Sequence, residues 1–102
     1  MNSNLHSEMT INIDAFIDNA ANFFDQLVPV ATDDELFASG YLRGHFDLAV
    51  GTLQVAAEPF QVDELIQQVS SSLQHAIGQG ELSETDQATV QNIWQQVQQL
   101  AA

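Results

Sequence analysis

Lysine and cysteine are both missing from this chain, and Arg43 is its one basic side chain apart from three histidines. Without cysteine there can be no disulfide, thiolate metal site or sulfur nucleophile. With one cation against fourteen carboxylates the formal net charge is −13. A surface of that sign does not neutralise phosphates, so direct nucleic-acid binding is not expected. Docking on an anionic membrane is disfavoured for the same reason. There is no apolar run approaching the roughly 20 residues that span a bilayer. Met1–Glu8 has neither a basic stretch nor an apolar core of the signal-peptide kind. A cytoplasmic protein is the expectation. The only two prolines, Pro29 and Pro59, stand at what read as joints rather than inside elements.

What is present is enough apolar residue (45% of 102 positions) for one domain with a single core. Residues 1–8 read as a flexible tail and 9–102 as a single helical domain. From about Met9 to Val28, apolar residues recur at Ile13, Phe16, Ile17, Ala20, Phe23, Phe24 and Leu27, the period of an amphipathic helix. Pro29 closes it. Thr32 and Glu35 have the spacing of a capping box, which predicts a second helix running to Ala57 or Glu58. Its apolar positions are Leu36, Phe37, Tyr41, Leu42, Leu48, Ala49, Leu53 and Ala56. A third helix is expected over about Gln61–Ile77, ended by Gly78 and Gly80. Ser83 caps a fourth, with Val90, Ile93, Trp94, Val97 and Leu100 inward and glutamines outward. Short joints favour antiparallel neighbours, so the fold class is all-α, a compact four-helix up-and-down bundle. An irregular or kinked second helix is the alternative.

That second helix carries the unusual residues. Gly40, Gly44 and Gly51 share one face, and each costs a helix about 0.5–1 kcal/mol relative to alanine. Close approach of another helix over that face is the preferred explanation, and a kink and the approach of a ligand are the others. Phe37, Tyr41, His45 and Leu48 form a second stripe, expected to pack in or at the edge of the core. Arg43 can reach Asp47 one turn on. A better partner is expected on the first helix, where Asp14, Asp18 and Asp25 line one edge. A partly buried, two-pronged arginine–carboxylate pair there would fix how the helices dock, and recognition of a partner's carboxylate or phosphate is the alternative.

Chemistry-bearing patterns are sparse. Neither His45 nor His75 has an acid three residues earlier, as helical dinuclear metal sites use. There is no His-Glu-x-x-His and no calcium-loop spacing. Adjacent acids at Asp33-Asp34 and Asp63-Glu64 match helix dipoles rather than general acid–base catalysis. Gly-Gln-Gly at 78–80 is too short for a phosphate loop. No catalytic residue, cofactor or metal is expected, and an enzyme is not.

The segment Asp33-Asp34-Glu35-Leu36-Phe37-Ala38-Ser39-Gly40-Tyr41-Leu42-Arg43-Gly44-His45 resembles the signature of the YfcL family of small bacterial proteins. A second block, Ala76-Ile77-Gly78-Gln79-Gly80-Glu81-Leu82-Ser83 with Asp86-Gln87 and Trp94, resembles it too. The two blocks cover about a third of the chain. The resemblance implies a compact helical protein of gammaproteobacterial type, and no activity or catalytic residue comes with it. It marks Gly40, Tyr41, Arg43, Gly44 and His45 as a family feature. The functional expectation is a protein–protein interaction module that uses the surface around the second helix to bind an unknown protein partner or itself. One alternative is an acidic decoy for a basic partner. Another is a small-ligand protein using Tyr41, Arg43 and His45.

Overall fold

A computed structural model describes residues 11–101. The expected tail, and the first residues expected of helix one, lie outside that range. Among the described residues there are four α-helices: α1 (Ile13–Leu27), α2 (Asp33–Val55), α3 (Val62–Gly78) and α4 (Glu84–Gln99). A short 3-10 turn, Val28–Val30, joins the first two.

Each helix start has a chemical reason. The Asn12 side chain accepts the Ala15 N–H at 2.8 Å, so α1 starts at residue 13. At α2 both arms of the Thr32/Glu35 box form, at 3.2 and 2.9 Å. The Glu64 carboxylate accepts the Gln61 N–H at the head of α3, and the Ser83 hydroxyl accepts the Asp86 N–H at the head of α4. The stops are equally local. At the end of α2, Ala57 takes a left-handed φ of 61°, ahead of Glu58 and Pro59. After α3, Gly80 takes φ 77°, and the Glu81 N–H returns to the Ala76 carbonyl at 3.2 Å.

Helix α2 runs without a break from Asp33 to Val55, through all three glycines. It is also the helix against which the others pack. Its buried side consists of Ala38, Ser39, Leu42, Phe46 and Ala49. Phe46 is the meeting point: its ring lies 6.0 Å from Phe16 and from Phe24 of α1, and 6.5 Å from Trp94 of α4. Tilted and edge-on ring geometries of this kind are the favoured ones. Val62, Leu65, Val69 and Leu73 of α3 complete the core with Leu82, Val90, Ile93 and Val97. Tyr41 bonds to Glu81 and His45, further along α2, to the earlier Ser72, so α2 and α3 run in opposite directions; Ser70 of α3 meets Trp94 of α4. The Ile11 N–H bonds to the Ala101 carbonyl at 3.4 Å, which ties the start of α1 to the end of α4.

The inward stripes of α1, α3 and α4 are those that the apolar spacing predicts. On α2 the structure corrects the expectation. A Cβ added at Gly40, Gly44 or Gly51 meets nothing within 4 Å among the described residues. No described helix crosses there. The small residues that let helices approach α2 are Ala38, Ser39 and Ala49, on the opposite side. Phe37 and Leu48, expected in or at the edge of the core, are 51% and 68% exposed.

Ala57 supplies a stability test of this chain trace. A left-handed alanine costs about 1–2 kcal/mol, against a glycine entropy penalty of about 0.5–1 kcal/mol. The Ala57→Gly variant is expected to be more stable by up to about 1 kcal/mol in urea denaturation.

Candidate functional site

The residues singled out by sequence sit on three sides of α2. Tyr41 and His45 turn towards α3. The Tyr41 hydroxyl donates to Glu81 Oε1 at 2.7 Å, and the His45 ring bonds to the Ser72 hydroxyl. Phe37, Tyr41 and His45 also form a ladder of rings, with centroids 6.1 and 4.8 Å apart. Burial pushes the Tyr41 phenol up to about 12, and the Glu81 hydrogen bond and negative charge add to the rise.

Arg43 points the other way, towards α1. Its Nη1 donates to Asp25 Oδ1 at 2.9 Å, and its Nε lies 3.9 Å from Asp47. The guanidinium also rests 5.6 Å from the centre of the Phe24 ring. Of the three aspartates along α1, Asp25 is the one reached. The pair differs from the expected buried fork: one prong serves Asp25, and the side chains are 37% and 67% exposed. An ion pair so open to water contributes little.

Gly40 and Gly44 lie between these two edges and face outward. The three polar groups therefore do not converge on a common concavity, so a small-ligand pocket built from Tyr41, Arg43 and His45 is not what the fold makes. Carboxylates occur on all four helices rather than in one cluster, and each helix carries acid in its first turn. Among the described residues no three acidic or histidine side chains gather as a metal site would need. Nor is any described helix long and apolar enough to cross a membrane.

What the outer side of α2 does display is apolar. Leu36, Phe37, Leu48 and Val55 of this helix are 44%, 51%, 68% and 85% exposed, and the other exposed large apolar side chains among the described residues, Val28 and Val30, lie on the 3-10 turn before it. An open hollow over Gly51 is lined by Asp47, Leu48, Thr52 and Val55.

The family model described as YfcL protein matches residues 14–99. The chain belongs to the YfcL family. It is 47% identical over 78 residues to "Uncharacterized protein YfcL" of Escherichia coli (strain K12), covering 76% of this chain and 84% of that one. No solved structure matches. The two blocks by which the chain resembles YfcL proteins meet in space: Tyr41 of the first holds Glu81 of the second. Trp94, of the second, meets Phe46, the residue after the first, and donates its Nε1–H to Ser70 at 3.1 Å. Sequence reading missed Phe46 as the core's hub, although its spacing of four from Leu42 and three from Ala49 marks it.

Two measurements test this geometry. The Tyr41 phenol is the chain's sole tyrosine, so ultraviolet titration reads it alone, with an expected midpoint of about 12. Between about 10 and about 12 the unfolded phenol has lost its proton and the folded one has not, so stability falls as pH rises through that window. The Glu81→Gln variant is expected to lower the midpoint without returning it to 10, because burial, the larger cause, remains. For the exposed Arg43–Asp25 pair, a double-mutant cycle with Arg43→Ala and Asp25→Ala is expected to give a coupling below about 1 kcal/mol.

Proposed function

We propose that this YfcL-family protein is a protein-interaction module whose contact surface is the outward face of α2. The observation that carries the reading is the apolar side chains left in water on that one helix, Leu36, Phe37, Leu48 and Val55, around a floor of glycine. Scattered single exposed hydrophobics are ordinary, but several large ones gathered on one helix beside bare glycine favour a contact surface. The glycines support it through their energetics. Three interior glycines each forgo about 0.5–1 kcal/mol of helix stability, and nothing within the described fold uses the room they leave. A partner packed close against the backbone gives that room a purpose.

The test separates stability from binding. Gly40→Ala, Gly44→Ala and Gly51→Ala are each expected to raise stability by about 0.5–1 kcal/mol, the reverse of the loss that an internal helix crossing gives. A photocrosslinking residue placed at Leu48 in the cell of origin is expected to yield a discrete protein adduct. The same residue at Gln67 on α3 is not. Gly44→Ala is expected to diminish the Leu48 adduct in spite of its greater stability. Equal adducts at both positions, or none at Leu48, overturn the reading.

A further inference from the structure

The positions of α2 turned away from its buried side follow a second periodicity. Phe37, Tyr41 (half-buried, at the edge of the core), Gly44, Leu48, Gly51 and Val55 are separated by four, three, four, three and four residues. That is the heptad spacing of a helix that expects another helix alongside it, sustained over about 27 Å of axis. Tyr41, Leu48 and Val55 are one set of sevens; Phe37, Gly44 and Gly51 are the other. The hollow over Gly51 has the matching shape. Leu48, Gly51, Thr52 and Val55 stand at i, i+3, i+4 and i+7, the four corners into which a neighbouring helix inserts one side chain. From Tyr41 to Val55 large residues alternate with glycine along the seam and leave recesses for bulky knobs.

Charge selects the occupant. Asp33 and Asp34 stand at the amino end of the seam, and Asp47 flanks it between Gly44 and Leu48. Glu81 borders it through its bond with Tyr41. The one cation of the chain is already engaged with Asp25. A second copy aligned in parallel brings Asp34 opposite Asp34, and any self-pairing sets two chains of net charge −13 together with no lysine to offset them. Like charges across such a seam oppose pairing, and opposite charges set partner choice.

We infer that the exposed heptad seam of α2 receives an amphipathic helix of a different protein, one with large apolar residues along its stripe and lysine or arginine at its flanks. This rests on the reading of α2 as a contact face and adds what the partner presents.

The experiment uses the full chain and synthetic helical peptides with a heptad leucine/isoleucine seam, flanked in one series by lysine and in another by glutamate. A third, lysine-rich peptide has its apolar residues scrambled out of register. Binding is read by fluorescence anisotropy, and self-association by sedimentation. The Lys-flanked heptad peptide is expected to bind, the Glu-flanked one not, and the scrambled one at least roughly tenfold more weakly than the first. Gly44→Ala and Leu48→Asp, checked by circular dichroism for an intact fold, are expected to weaken binding by a similar factor. Salt weakens it further as the screening length shrinks from about 10 Å at 0.1 M to 3 Å at 1 M. The inference is overturned if scrambled and heptad peptides bind alike, if Leu48→Asp leaves binding unchanged, or if the Lys-flanked peptide does not bind. It is equally overturned if the chain dimerises through Leu48 in sedimentation. A discrete Leu48 adduct in cells alongside any of these results leaves the interaction reading standing and removes only the basic helix.

Discussion

The fold depends on Phe46. One ring, projected from the middle of α2, meets two phenylalanines of α1 and the tryptophan of α4 at once. Helix α3 flanks the same rod through the Tyr41 and His45 side. Among the described residues there are four helices, and a rod that serves three neighbours from about half of its circumference has no described neighbour for the other half. The outward strip of apolar and glycine residues follows from that geometry. It is a position in the architecture, so its composition is free to be set by something other than the internal core.

This division also explains which parts of the fold could be read from residues alone. Helices α1, α3 and α4 each have one apolar side, and the spacing of Phe16, Ala20 and Phe24, or of Val90, Ile93, Trp94 and Val97, points to the core without ambiguity. Helix α2 has apolar residues on both sides. Leu42, Phe46 and Ala49 belong to one, and Phe37, Leu48 and Val55 to the other. A single periodic pattern cannot be assigned to two opposed faces, so the sequence reading mixed them and left out Phe46. The glycines misled for a related reason. Bare backbone signals room for a close neighbour, but it does not say whether that neighbour belongs to the same chain.

The polar residues of the family segment divide in the same way. Each had a legible need for a partner, and the structure supplies the identities: Asp25 for Arg43, Glu81 for Tyr41 and Ser72 for His45. Those partners lie 18, 40 and 27 residues away, and no local rule reaches that far. The left-handed turn at Gly80 aims Glu81 back at α2, so the second family block acts as a strut for the first. Both contacts border the outward strip and hold the central rod at a fixed rotation beneath it.

The solitary arginine has a practical corollary. Trypsin, which cuts after basic residues, finds one susceptible bond in the whole chain, Arg43–Gly44, set midway along the central rod. Proteolysis there needs an extended backbone, so the protease must wait until the hub helix unravels. The digestion rate of the unmodified protein therefore reports a single opening event, and anything seated along that rod shields the bond directly.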